Sequence, residues 1–209
     1  MAEQLREQTR VYSWISGNRY LSLSEMENNA TIIYQIMYSK GWSLNAICAL
    51  LGNAQQESTI NPGIWQNLTE GSGGGGGYGL VQWTPWTNFT NWADENGYEW
   101  DDGTAQCEWI DSVTAPFGQW IPTTDYPMSF KDFKTSTNSV QSLTSAFLKN
   151  FERAGVEAET IRQQNSEYWY EFLSGETPPT PEIPDVPDTP QPSTKRKKMP
   201  VWMMCKYNC

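Results

Sequence analysis

Glu57 stands at the end of Ala46-Ile47-Cys48-Ala49-Leu50-Leu51-Gly52-Asn53-Ala54-Gln55-Gln56, a run that is apolar for most of its length. A carboxyl at the end of a buried helix, facing a cleft, loses solvent, and desolvation favours its protonated form. A protonated carboxyl near neutral pH is what general-acid catalysis needs. Position alone also fits an ordinary surface charge. The rest of the composition narrows the choice. The 209 residues include no histidine, which excludes Ser-His-Asp and Cys-His catalysis and histidine-ligated zinc. What survives is carboxylate chemistry or none. Eleven tryptophans and ten tyrosines offer flat faces that suit sugar rings, and they suit an aromatic core equally well.

The elements that must position such a group follow from periodicity. Ser24 and Glu27 predict a capping box, and Met26, Ala30, Ile33 and Met37 then recur at helical spacing up to a stop at Gly41. Ser43 predicts the cap of a second helix bearing Leu44, Ile47, Cys48 and Leu51, which runs to about Gln55 and ends before Asn61-Pro62-Gly63. Helical patterns resume after Thr84, after Asp102, after Ser136 and near Glu167; Val140, Leu143, Ala146, Phe147 and Phe151 mark one of them. The five glycines at 73–77 read as a mobile loop or a hairpin tip. They lack the Gly-Lys-Ser/Thr ending of a phosphate-binding loop. The expected fold is mostly α, of the α+β kind, with a small β or loop subdomain at 60–82 forming a cleft.

Composition changes near Ser174. Residues 174–194 contain seven prolines and no aromatic residue, the composition of an extended linker. The basic run Lys195 to Lys198 follows, then the short apolar segment Met199 to Cys209. The 24 acids and 14 bases give a net charge of -10, which argues against a nucleic-acid partner. Cys48, Cys107, Cys205 and Cys209 form no CxxC framework and read as free thiols. The polar N-terminus shows no secretory signal, and no apolar stretch is long enough to span a membrane. Neither a metal nor a cofactor is expected.

Three segments carry a resemblance. Gly52-Asn53-Ala54-Gln55-Gln56-Glu57-Ser58-Thr59-Ile60-Asn61-Pro62-Gly63, then Tyr78-Gly79-Leu80-Val81-Gln82-Trp83, then Phe151-Glu152-Arg153-Ala154-Gly155 occur in that order, and Tyr168-Trp169-Tyr170 fits a closing helix. Together they resemble the phage tail lysozyme family over roughly residues 18–173. The resemblance implies a lysozyme-like domain at 18–173, after an N-terminal extension at 1–17 and before the linker at 174–194 and a docking peptide at 195–209. It implies cleavage of the β-1,4 bond between N-acetylmuramic acid and N-acetylglucosamine in peptidoglycan glycan strands, with Glu57 as the catalytic acid. Tyr78, Gln82 and Trp83 would border the cleft. Trp65, Tyr78 and Trp83 could stack on sugars, and Gln82 could donate to and accept from their hydroxyls and acetamides.

A glycosidase commonly uses two carboxyls. Glu70, between the first two motifs, is the first candidate for the partner, and Asp94 the second. Glu152 and Arg153 could orient the active site, and read first as an internal ion pair holding the last helices. Relatives within the resemblance carry a second, histidine-rich zinc endopeptidase domain; the linker and tail stand in its place, so peptide cleavage is not implied. The tail is expected to dock on a phage tail protein, placing the chain in the virion for local wall penetration at entry. An endolysin, a lytic transglycosylase and a non-catalytic wall binder are the alternatives.

Overall fold

The computed structural model describes residues 12–71, 75–112, 118–153 and 158–175. Of the linker expected at 174–194, Ser174 ends the last described helix and Gly175 follows it; residues 176–194, the peptide at 195–209, Cys205 and Cys209 lie outside the described residues, as do residues 72–74 of the glycine-rich segment. The described residues form seven α-helices, in agreement with the mostly helical expectation: α1 Leu23–Ser39, α2 Leu44–Ser58, α3 Thr87–Asn96, α4 Gly103–Asp111, α5 Phe130–Thr135, α6 Val140–Phe147 and α7 Glu159–Ser174. A π-helical turn, Leu148–Glu152, continues α6.

α2 is the centre. Every residue from Ala46 to Ala54 is buried, and a helix apolar on all sides belongs inside a core. It packs most extensively against α7 and α6, then against α1 and α5. Ser43 caps it as expected, accepting from Ala46 N at 3.1 Å. The helix continues past Gln55 to Ser58, so Glu57 lies in its last turn. Thr59 and Ile60 then take positive φ, 54° and 55°, and end it.

α1 begins two residues before the expected box. Its capping pair is Ser22 and Glu25, whose carboxylate accepts from Ser22 N at 2.8 Å. Glu27 serves elsewhere: it accepts a hydrogen bond from Tyr168 Oη of α7 at 2.6 Å. Residues 12–17, assigned from sequence to the N-terminal extension, pack on the body. Trp14 Nε1 donates to Thr104 Oγ1 at 3.0 Å, and Ile15 exchanges two backbone hydrogen bonds with the Asn29 amide at 2.9 and 2.8 Å.

Between Ile60 and Trp83 the described chain forms no ladder of strands. Two isolated antiparallel bridges, Trp65 with Tyr78 and Tyr78 with Trp83, hold it together. Gln106 of α4 secures this loop region. It is fully buried; its Oε1 accepts from Leu80 N at 2.8 Å, and its Nε2 donates to Pro62 O at 2.7 Å and Trp100 O at 2.8 Å. Gly79 must be glycine here. Its φ is +78°, and a Cβ would meet Gln106 Oε1 at 2.6 Å. Replacing Gln106 with Ala would take this partner from two buried backbone groups, Leu80 N and Pro62 O, and from the part-buried Trp100 O. The expected loss is about 3 kcal/mol, since each unsatisfied buried group costs about 1–3 kcal/mol. Urea unfolding would measure it.

Candidate active site

A cleft of about 730 Å³ opens beside the C-terminal end of α2. Glu57 lines it from α2, Glu152 and Arg153 from the end of the π turn, and Trp65, Gln82 and Trp83 from the loop region. The fold thus brings four of the residues expected from sequence together: Glu57, Trp65, Gln82 and Trp83.

Five residues of the first motif have an evident use. Gly52 lets α7 approach: a Cβ there would lie 2.6 Å from Arg162 O and 2.6 Å from Ser166 Cβ. Asn53 is fully buried and accepts from Arg162 Nη1 at 3.1 Å through Oδ1. Arg162 Nη2 then donates to Glu57 Oε1, forming an ion pair in which the arginine side chain is 3% exposed and the glutamate 19%. Ser58 Oγ donates to Leu80 O at 2.8 Å and ties the helix to the second motif. Asn61 Nδ2 reaches Gly17 O and Arg19 O at 2.7 and 2.6 Å. Arg162 carries no motif and no periodic signal in the sequence. Only the close crossing of α2 and α7 brings it to Glu57.

The second motif supplies the facing wall. Trp83 is 3% exposed and stacks on Phe89, with ring centroids 4.8 Å apart. Tyr78 is 4% exposed and backs Trp65 at 4.5 Å. Its phenol is pushed up by burial and by the charge of Asp101. Trp65 is the less buried ring. Gln82, at φ 47°, donates from Nε2 to Ile64 O and Gly79 O at 3.2 and 3.1 Å. Those bonds hold the loop and leave its carbonyl oxygen for a ligand.

Glu70 is not among the residues that line the cleft with Glu57. It sits with Tyr78, Asp94, Trp100 and Asp101 in a neighbouring depression of about 640 Å³, and Trp65 is shared between the two. Asn67 and Leu68 take positive φ, 55° and 58°, and turn the chain before it reaches Glu70. Asp94 Oδ1 accepts from Trp100 Nε1 at 2.7 Å.

Glu152, read from sequence first as the ion-pair partner of Arg153, is the second acid in the cleft. It forms no ion pair with Arg153. Arg153 Nη1 donates to the carbonyls of Gln119 and Asn150. Glu152 Oε1 is shut off from solvent and has no hydrogen-bond partner. Burial pushes this carboxyl well above the ordinary carboxyl range; the nearby charge of Glu57 adds to the shift, and Arg162 and Arg153 oppose it. The π turn is held in place by Asn150, which is fully buried and accepts from Thr123 N and Oγ1, both at 2.9 Å. Such turns inside helices recur at functional sites.

A pH dependence of stability follows. The folded chain holds the Glu152 proton more tightly than the unfolded chain does. The stabilisation is therefore fully present below the ordinary carboxyl range and is lost as pH rises through the raised value. Urea unfolding across that window should show the decline, and Glu152→Gln should remove it.

A smaller cavity of about 210 Å³, bounded by Trp83, Trp109, Trp120 and Phe151, has no carboxylate among its described lining residues. Cys48 and Cys107 are buried free thiols whose protons are held by desolvation. No group of three or more potential metal ligands occurs among the described residues. No helix among them is long and apolar enough to cross a membrane.

Comparison with known proteins gives the family of the chain. Over 160 residues the chain is 45% identical to Morphogenesis protein 1 of Bacillus phage B103; the match covers 77% of this chain and 43% of that protein. The chain thus spans less than half the length of that relative. The family model of the phage tail lysozymes matches residues 28–173, which contain all three motifs, both cleft glutamates and Arg162, and the chain belongs to that family.

Proposed function

We propose that the cleft hydrolyses the β-1,4 bond between N-acetylmuramic acid and N-acetylglucosamine of peptidoglycan, and that a phage uses it for local wall penetration. The observation that carries this reading is the shared cleft. Glu57, clamped by the buried Arg162, faces the same space as a second carboxyl, the Trp65 ring and the Gln82 carbonyl. Acid chemistry and sugar-facing groups meet there without histidine. Trp65 supplies the less buried aromatic ring, and Tyr78, Trp86 and Trp100 pack against it and set its position. The family of tail lysozymes and the morphogenesis protein of a Bacillus phage support a role in the virion.

A zymogram on Gram-positive cell walls tests the activity, and a wall binder would leave no cleared band. Product analysis tests the reaction. Reducing ends of N-acetylmuramic acid are expected; 1,6-anhydro ends would mean transglycosylation. Mass spectrometry of purified particles separates a virion enzyme from an endolysin. Residues 195–209 are proposed to dock on a tail protein. Truncation after Gly175 is expected to preserve digestion of purified peptidoglycan and to abolish incorporation into particles.

A further inference from the structure

One cation lines the cleft beside Glu57. Among the described lining residues Arg153 is the single Lys or Arg. The other guanidinium nearby, Arg162, is buried and bound to Glu57 and Asn53. Arg153 is exposed and pairs with no carboxylate among the described residues. Its chain neighbour Glu152 keeps Oε1 without a partner, so the guanidinium is not spent there. Arg153 Nη1 donates to Gln119 O and to Asn150 O, the latter at 2.9 Å, and Nε and Nη2 make no hydrogen bond among the described residues. The backbone is fixed as well. Arg153 takes φ 50°, and its N–H donates to Leu148 O at 2.8 Å at the end of the π turn. A guanidinium carries its N–H donors in one rigid plane. With one nitrogen tied to the chain, the plane is held and the remaining donors are left for a ligand. A preset fork of this kind suits a carboxylate.

The substrate class proposed above carries such a group. A peptidoglycan strand alternates two sugars that differ at one place. N-acetylmuramic acid bears a lactyl ether where N-acetylglucosamine bears a hydroxyl. The lactyl arm ends in a carboxyl, either free or joined to a stem peptide that brings carboxylates of its own. An enzyme that cuts one of the two alternating bonds must read that arm, because specificity is a difference in affinity between the two placements of the strand. Ring faces and acetamides are common to both sugars, so Trp65 and Gln82 do not tell them apart.

We propose that Arg153 reads the arm: its guanidinium binds a carboxylate of the lactyl group or of the peptide attached to it, and so sets which sugar lies beside Glu57. The assignment rests on the glycosidase reading above and gives Arg153 a part in recognition, not in bond breaking.

The test uses tetrasaccharides in which N-acetylglucosamine alternates with N-acetylmuramic acid. One pair has free lactyl carboxyls or their primary amides. A second pair carries an alanyl-glutamate dipeptide on each lactyl arm, with its carboxyls free or amidated. Calorimetric titration of the wild type should show an acid ligand bound ~10–100-fold more tightly than its amide, the scale of a hydrogen bond between charged groups. Preference within the first pair assigns the lactyl carboxyl as the ligand, and preference within the second alone assigns the peptide. Arg153→Gln should bring acid and amide to the same affinity. Arg153→Lys keeps the charge without the fork and should keep part of the preference. In digestion of purified peptidoglycan the Arg153→Gln loss should fall mainly on KM, as expected for a contact made equally before and during the reaction.

Arg153 also clamps two carbonyls, so the variant is read as a ratio between ligands. A purely structural role would weaken acid and amide alike, and that result would overturn the proposal. Retention of the wild-type preference by Arg153→Gln would do the same. Equal affinity of the wild type for acid and amide in both pairs would overturn it without any variant. A wild type that shows the preference and releases no reducing ends from peptidoglycan would instead remove the glycosidase reading and leave Arg153 as a carboxylate site.

Discussion

Glu57→Gln is expected to lose cell-wall lysis by at least ~10²-fold, the scale on which either a proton donor or a preorganised charge contributes to catalysis. The side chain keeps its shape, and its amide oxygen can still accept from Arg162. What disappears is the negative charge paired with that guanidinium and facing the cleft. The same change weakens a nearly buried charged hydrogen bond, and hydrogen bonds to charged groups contribute about 1.5–3 kcal/mol. Thermal unfolding should therefore show a measurable loss alongside the loss of activity. A fully folded Glu57→Gln protein that clears cell walls at the wild-type rate would remove Glu57 from the reaction and the glycosidase reading with it.

Gly52→Ala is expected to destabilise the protein by about 3 kcal/mol, at the upper end of the usual cost of overpacking a core. The added methyl would lie 2.6 Å from a backbone oxygen and 2.6 Å from Ser166 Cβ, with Ser166 N at 2.8 Å. These atoms belong to the body of α7 and cannot swing aside as the tip of a long side chain could. α7 must move away from α2, and Arg162 moves with it. Activity should therefore fall along with stability, although residue 52 faces no substrate. Urea unfolding and a lysis assay on the same preparation would check both. A Gly52→Ala protein with wild-type stability would show that the two helices do not cross this closely.

The packing explains why these two positions, five residues apart on one helix, serve one site. Gly52 sets the distance between α2 and α7, Asn53 anchors the guanidinium that crosses the gap, and Glu57 receives it. Gln106 does comparable work for the opposite wall, where it binds the backbone at Pro62, Leu80 and Trp100 from a single amide.

Local patterns were enough to read much of this protein from its residues. Ser43 as a cap, α2 as an apolar helix and the mostly helical class follow from side-chain chemistry and spacing that act within a few residues. The absence of histidine left carboxylate chemistry on the same grounds, whereas it was the family resemblance carried by the three motifs that implied Glu57. The shift of the first capping pair from Ser24 and Glu27 to Ser22 and Glu25 was not legible, because both pairs satisfy the same local rule and a distant residue, Tyr168, claims Glu27. Tertiary structure alone placed Glu152 in the cleft and put Glu70 with Asp94 in the neighbouring depression. It also brought Arg162 to Glu57 across 105 residues of chain. Desolvation and ion pairing depend on what surrounds a carboxyl in three dimensions. A sequence shows which carboxyls exist, and only the folded chain decides which one loses its water and which one gains an arginine.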